Sequence, residues 1–166
     1  MGLEKDPLAN ALVAREGHLN FHFCLYNLEG IYTGGYYHGL LELHENYPFA
    51  APKLHFYTPT GRFETNMPIC TSFTNYHPET WTSAWNVRSL ILGTISFMYS
   101  EEGSYGCRHD SKDLRKKYAS ESLAFNMKND IFRKLFEDKL IKIGALAEKK
   151  PELMLPSLDE EKDIHR

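Results

Sequence analysis

The chain has 166 residues, which suits one domain with a sizeable core. Hydrophobic residues make up 42% and charged residues 25%, as in ordinary soluble domains, and the net charge of −3 argues against nucleic acid as a main partner. Cys24, Cys70 and Cys107 are odd in number and lack CxxC spacing, which argues against a disulfide framework and a zinc site and fits a reducing compartment.

The beginning of the chain predicts one strand. Residues 1–17 show little pattern, because Pro7 discourages a helix and Gly17 marks a turn. Residues 18–26 alternate between apolar and polar side chains, which predicts a strand. One face of this strand carries Leu19, Phe21, Phe23 and Leu25, and the other carries Asn20, His22 and Cys24.

Two further strands are predicted over residues 36–44 and 53–57, on either side of a proline-restricted segment at 47–52. The connections between these strands are too short for parallel crossovers. The pattern therefore predicts an antiparallel meander.

Three helices are predicted in the second half of the chain. Asn86 is a cap for a helix over residues 87–99, which should pack on the sheet. Ser111 opens a second helix, and residues 130–149 predict a third. The side chains expected to face inward are Leu114, Tyr118, Leu123 and Phe125 in the second helix and Ile131, Leu135, Leu140 and Ile143 in the third. Strands followed by helices indicate an α+β fold.

The candidate functional residues are concentrated in residues 58–85. It begins TPTGRF, continues through Asn66 to Cys70, and ends with YHPETW and Trp85. The Pro-Thr-Gly sequence predicts a tight turn. A cysteine between two irregular segments is more often exposed than one inside an apolar strand.

These residues resemble the active-site region of the ubiquitin-conjugating enzymes, and most of all their divergent, tail-anchored endoplasmic-reticulum branch. Two further matches are Tyr47-Pro48-Phe49 with Pro52, and the SLAFN sequence at 122–126. The resemblance implies a four-stranded antiparallel meander packed with helices. We expect a catalytic core domain over residues 1–149, and the two prolines and mixed charges that follow predict a charged flexible tail over 150–166.

By this resemblance, Cys70 is the nucleophile that carries ubiquitin as a thioester and passes it to a lysine, a hydroxyl or a ligase cysteine. The expected partners are ubiquitin, its activating enzyme and ubiquitin ligases. No metal or organic cofactor is implied, because the activating enzyme uses the ATP. Judged by sequence spacing without the resemblance, a lone cysteine is more often a small buried hydrophobic residue. Cys24 and Cys107 keep that interpretation.

Three other residues are candidates for support of catalysis. The resemblance implies that Thr60 stands where the family has an asparagine that steadies the oxyanion. Either lysine transfer is weakened, or another donor, Asn66 or Asn75, replaces it. The alternative for Asn66 is a turn residue that bonds its own backbone. His77 is either a base near the nucleophile or a loop histidine that packs near Trp81.

The resemblance also implies a ligase-binding surface at Phe49 and at the Ser83-Ala84 pair. The alternative for Phe49 is core packing. Ser83 replaces a proline found in many relatives, which predicts a less rigid loop.

The ends of the chain bear on localisation. The apolar stretch at residues 90–99 is too short for a membrane span, and no signal peptide is visible. The branch usually has a first helix before the segment matching residues 5–7 and a membrane anchor after a polar linker. Most of that helix and the anchor are missing here, so the expected location is the cytosolic face of the endoplasmic reticulum if an anchor follows, and the cytoplasm otherwise.

Three functions therefore compete: an enzyme of endoplasmic-reticulum-associated degradation, a weak or inactive variant that binds ubiquitin or ligases, and an enzyme for another ubiquitin-like modifier. Retention of Cys70 favours an enzyme, whereas Thr60 and the missing first helix favour the binding module.

Overall fold

The computed structural model describes residues 9–148, and its four strands precede its three α-helices. The charged tail predicted at 150–166 lies outside this range. Residues 1–8, to which the expectation of a largely missing first helix refers, lie outside it as well. The strands are β1 Ala11–Glu16, β2 Asn20–Leu25, β3 Tyr37–Glu42 and β4 Lys53–Phe56. The helices are α1 Val87–Tyr99, α2 Lys112–Asn126 and α3 Asp130–Lys142.

The sheet has the order β1-β2-β3-β4, and every neighbouring pair is antiparallel. The predicted α+β fold with a four-stranded meander is thus confirmed. Strand β1 lies within the segment for which little structure was predicted. Its side chains are mostly half-buried on both faces, so its sequence lacks the strict alternation that marks β2.

Both faces of the sheet are covered. On one face, α1 packs through Leu90, Ile91 and Met98 onto the main core that includes Phe23 and Leu41. On the other face, Cys24 lies in a second cluster with three buried side chains of α3, Phe132, Phe136 and Leu140. The more polar face of β2 is therefore buried as well, which explains why His22 is 3% exposed.

The helix caps lie where the sequence predicted them, but the predicted inward faces of α2 and α3 are partly wrong. Asn86 caps α1 in a capping box with Ser89, and Ser111 caps α2 by accepting a hydrogen bond from Leu114 N–H. In α2 the predicted inward face is wrong at Phe125, which is 45% exposed. The buried residues of this helix are instead Arg115, Ala119, Ser122 and Asn126.

Polar side chains of α2 are buried because they bond to the chain beside the sheet. Ser122 Oγ accepts from Tyr36 N–H at 2.8 Å, and Asn126 Nδ2 donates to Tyr36 O at 2.7 Å. Thr58 Oγ1 donates to Asn126 Oδ1 at 2.5 Å and accepts from His38 N–H at 2.8 Å. This network joins α2 to the segment that leads from β4 to the candidate site.

Helix α3 ends at Lys142, earlier than predicted. Gly144 follows with φ +76°, a left-handed conformation typical of helix ends. The predicted inward face is wrong at Ile131 and Ile143, which are 45% and 42% exposed. The two phenylalanines face the sheet in their place.

The turn after β4 is fixed from inside the protein. Arg62 is 0% exposed, and its Nη2 donates to the carbonyl oxygens of Phe97 at 3.3 Å and Glu102 at 2.7 Å. Its guanidinium also lies 5.1 Å from the ring centre of Phe63 and 4.9 Å from that of Phe97. Arg62 therefore ties this turn to the end of α1 and to the segment after it.

Candidate active site

Cys70 lies at the junction between a buried anchor and the protein surface. Ile69 is 0% exposed, and its N–H donates to Leu54 O at 3.0 Å, which fixes the chain beside β4. Cys70 N–H donates to Tyr105 O at 2.9 Å, and Ser104 Oγ donates to Cys70 O. Cys70 itself is half-buried, so it is not sealed in the core.

A surface groove of about 370 Å³ runs past Cys70. One wall comes from the chain around Cys70 and the loop after it, and the other comes from the segment that Arg62 holds. The residues that line the groove are Cys70, Thr71, Ser72, His77, Thr80, Phe97, Glu102, Gly103 and Ser104.

His77 is in direct contact with the cysteine. Its Nε2 lies 3.0 Å from Cys70 Sγ, and its Nδ1 lies 2.8 Å from Glu79 Oε1. His77 begins a short 3-10 helix, Pro78–Thr80, whose Thr80 Oγ1 donates to the carbonyl oxygens of Ser72 and His77. The sulfur, the imidazole and the carboxylate thus form a continuous chain from the groove to solvent.

The environment favours the protonated form of Cys70. Partial burial raises the pKa of its thiol, and the nearby thiol of Cys107 and the carboxylate of Glu79 raise it further. Since the thiolate is the reactive form, Cys70 needs a base to take its proton during attack. His77 Nε2 lies within reach for that role.

Thr60 lies inside the fold and does not line the groove. It is 0% exposed, and its Oγ1 accepts from the N–H groups of Arg62 and Phe63, both at 3.0 Å. The hydroxyl therefore closes the turn at residues 60–63. The oxyanion contact considered for Thr60 gains no support from this position.

Asn66 is also separate from the groove. Its side chain is exposed, its φ is +56°, and its N–H donates to Phe56 O at 2.8 Å. Asparagine tolerates this left-handed conformation better than most residues. Asn66 therefore lies in a turn outside the groove, and the hydrogen bond that fixes it comes from its backbone N–H.

The residues predicted to contact ligases lie on two loops that bond to each other. Phe49 is 82% exposed, and Ser83 and Ala84 are exposed on the other loop. Trp81 Nε1 donates to Pro48 O at 2.9 Å, and Tyr47 Oη donates to Trp85 O at 3.0 Å. The structure thus brings the two loops together and leaves Phe49 outside the core.

Sequence reasoning did not identify Glu79 or Ser104 as part of the site. Glu79 lies two residues after His77, yet only the 3-10 turn brings its carboxylate to the imidazole. Cys107 was assigned no role, but its Sγ lies 3.3 Å from Ser104 Oγ, the hydroxyl that also bonds to Cys70 O. These contacts depend on loop geometry, for which the sequence has no periodic signal.

Residues 9–148 contain neither a metal-binding cluster nor a membrane-spanning helix. No cluster of three or more His, Cys, Asp or Glu side chains there is arranged to hold a metal ion. In the same part of the chain, no helix has the length and apolar character needed to cross a membrane.

The fold and the groove around Cys70 agree with one known family. The sequence pattern of the family described as ubiquitin-conjugating enzyme matches residues 3–129. The chain belongs to the ubiquitin-conjugating enzyme family.

Curated relatives narrow this similarity. The chain is 38% identical over 122 residues to ubiquitin-conjugating enzyme E2 J2 of Homo sapiens, a match that covers 74% of this chain and 47% of the human protein. It is 36% identical over 137 residues to the E2 J2-like enzyme of Dictyostelium discoideum, with 81% of each chain covered. It is 36% identical over 146 residues to ubiquitin-conjugating enzyme E2 6 of Schizosaccharomyces pombe, with 86% of this chain and 64% of the relative covered. The chain spans about half the length of the mammalian relatives that it matches, namely 55%, 47% and 47% of those from Mus musculus, Homo sapiens and Bos taurus.

Proposed function

We propose that the protein carries ubiquitin as a thioester on Cys70 and passes it to a substrate or to a ligase. The observation that carries this proposal is the contact between a half-buried cysteine in an open groove and His77 Nε2 at 3.0 Å. The family membership is consistent with it.

The first step loads the enzyme. Cys70 Sγ attacks the carbonyl carbon of the thioester that joins ubiquitin to its activating enzyme, while the Cys70 proton moves to His77 Nε2. A new S–C bond forms, the old one breaks, and the thiolate of the activating enzyme leaves. No cofactor of this protein takes part, because ATP is consumed when the activating enzyme is loaded.

The second step unloads it. An acceptor amine, hydroxyl or thiol attacks the same carbonyl carbon, its proton is taken by His77, and Cys70 leaves as a thiolate that is then reprotonated. Thr60 and Asn66 support this step indirectly, since each fixes a turn near the cysteine segment. Neither side chain lines the groove in which the acceptor would lie.

The proposal includes a ligase-binding surface formed by Phe49, Ser83 and Ala84. An exposed aromatic ring on a loop held by Trp81 is a suitable anchor, because the loop backbone is already ordered before binding. Phe49→Ala should lower ligase-stimulated discharge about tenfold or more with purified ubiquitin ligases. Ile131→Ala removes an exposed apolar side chain from α3 and is the matched control. Equal rates for both variants would contradict this surface.

We further propose a role in endoplasmic-reticulum-associated degradation, at the cytosolic face of that membrane if an anchor follows in the complete protein. The support is the resemblance of residues 58–85 to the tail-anchored branch, in which Thr60 is the main departure. Imaging of the full-length product, with protease protection to assign the side of the membrane, tests this location. A diffuse cytoplasmic signal from the full-length product would contradict it.

A second candidate function is a binding module that does not transfer ubiquitin. It is favoured by Thr60, which replaces the asparagine of the family, and by the environment that raises the pKa of the Cys70 thiol. One incubation with activating enzyme, ubiquitin and ATP separates the two functions. An enzyme forms an adduct of ubiquitin size that reducing agent removes, whereas a binding module forms none.

Two variants and a set of modifiers complete this test. Cys70→Ser should abolish the adduct or convert it to an ester that resists reducing agent, and Cys107→Ala should retain the thioester. Repeating the incubation with other ubiquitin-like modifiers and their activating enzymes tests the third candidate. A thioester with one of these and none with ubiquitin would favour it.

A further inference from the structure

Glu79 lies on the solvent side of His77, opposite the cysteine. Its Oε1 is 2.8 Å from His77 Nδ1, and its side chain is 66% exposed compared with 42% for His77. The hydrogen bond to His77 lowers the pKa of Glu79, so its carboxylate is ionised at neutral pH.

This contact determines which ring nitrogen of neutral His77 carries the proton. An ionised carboxylate can only accept hydrogen bonds, so a neutral imidazole bonded to it must carry its proton on Nδ1. The lone pair of Nε2 then points to Cys70 Sγ, 3.0 Å away. The opposite tautomer would present an N–H to the sulfur and could not accept the thiol proton.

The backbone around Glu79 holds this geometry. Pro78 fixes one backbone angle between the two residues, and the 3-10 helix Pro78–Thr80 places the Glu79 carboxylate beside the imidazole. His77 N–H donates to Thr74 O at 3.1 Å, which anchors the other side of the turn. The arrangement therefore does not depend on the long side chain of Glu79 alone.

We infer that Glu79 is a positioning residue for transfer: it keeps His77 in the tautomer whose Nε2 takes a proton, and it stabilises the imidazolium that results. This inference rests on the proposed roles of Cys70 and His77. No bond to Glu79 forms or breaks, and the proton remains on the imidazole until it returns to the departing thiolate or to solvent.

A direct electrostatic effect of Glu79 on the cysteine would act in the opposite direction. Its negative charge disfavours the Cys70 thiolate, so removing the charge should help the cysteine if no other role existed. The positioning role predicts that the same change slows transfer. The sign of the effect therefore separates the two.

The tautomer of His77 is measured first, on protein that carries no ubiquitin. Long-range ¹H–¹⁵N correlation spectra at pH 8 report which nitrogen of His77 is protonated. The wild type and Glu79→Asp should show the Nδ1–H form. In a Cys70→Ala background, where no thiol donates to Nε2, His77 should keep the Nδ1–H form, and adding Glu79→Ala should shift it toward the Nε2–H form that neutral imidazole prefers without a partner. An Nε2–H form in the wild type, or an unchanged Nδ1–H form after Glu79→Ala in that background, would overturn the inference.

Ubiquitin transfer is measured second, as single-turnover discharge from the preformed thioester. The acceptor is free lysine or free threonine, whichever the wild type discharges to faster. Glu79→Ala should slow discharge about tenfold or more, Glu79→Asp should recover most of the rate, and Glu79→Ala should have no added effect in a His77→Gln background. Glu121→Gln, which removes an exposed carboxylate on α2, is the control with an unchanged rate.

The outcomes separate this inference from the function on which it rests. A wild type that never forms a thioester contradicts the proposed function, while the tautomer result still tests the arrangement of Glu79. A wild type that forms the thioester, with Glu79→Ala discharging at the wild-type rate, contradicts the role of Glu79 alone.

Discussion

Two segments carry family motif residues near Cys70, and they differ in exposure. The turn at residues 58–63 is buried, with Thr58, Thr60 and Arg62 each 0% exposed. The loop at 76–81 is largely at the surface, and its His77 reaches the sulfur. The comparison shows that residues of one resemblance can lie in the core or at the groove, and so can be proposed to serve the fold or the chemistry. Burial and hydrogen-bond partners decide which.

The largest effect is expected in the exposed loop. His77→Gln should slow discharge about 100-fold, because the base that takes the acceptor proton is lost, while the thermal midpoint stays within about two degrees. Single-turnover discharge and calorimetry measure the two quantities. His18→Gln, an exposed histidine in the turn after β1, is the control. A large loss of stability with His77→Gln would show that this loop serves the fold, as the buried turn does.

The buried turn should show the reverse pattern. Arg62→Ala leaves the carbonyl oxygens of Phe97 and Glu102 without this donor and opens a cavity, so the free energy of unfolding should fall by about 3 kcal/mol. Urea unfolding measures the loss. Arg133→Ala on α3 removes a half-exposed ion pair with Asp130 and should cost at most about 0.5 kcal/mol. Similar losses for both variants would contradict the role given to Arg62.

The buried face of the sheet predicts a pH dependence of stability. Burial lowers the pKa of His38 to about 3, and His38 packs 5.4 Å from the ring of Phe132 and bonds to His22 at 2.9 Å. The unfolded chain takes up this proton near pH 6.5, so the contribution is complete above that pH and is lost as the pH falls toward 3. The loss approaches about 1.4 kcal/mol per pH unit.

Urea unfolding at pH 7.5 and pH 5 checks this sign. Burial also lowers the pKa of the neighbouring His22, and the Glu16 carboxylate lies 4.0 Å from His22 Nε2. The wild type should lose more stability than His38→Gln between the two pH values. An equal loss would show that His38 is not held neutral by burial.

The smallest effect is expected at Thr60. Because its side chain does not line the groove, Thr60→Asn should leave discharge to free lysine within about twofold of the wild type and reduce stability by about 1 kcal/mol. An increase of tenfold in discharge would show that an amide at this position reaches the thioester. The turn and the groove would then be one functional unit.

Much of the fold and part of the candidate site could be predicted from the sequence. The start of α1 followed from Asn86, since a capping residue acts locally and leaves a local signal. The burial of Phe132 in place of Ile131 did not follow, because it depends on which side of α3 meets the sheet. The resemblance identified Cys70 and His77 as candidates. The contact of Glu79 with His77 required the geometry of the loop.

The central claim is that Cys70 carries ubiquitin as a labile acyl group, and one gel tests it. The full chain is incubated with activating enzyme, ubiquitin and ATP, and the products are compared with and without reducing agent. The account predicts an adduct that the reducing agent removes and that Cys70→Ser abolishes or converts to a resistant ester. An identical reducer-sensitive adduct in Cys70→Ser, or none in the wild type, would contradict it.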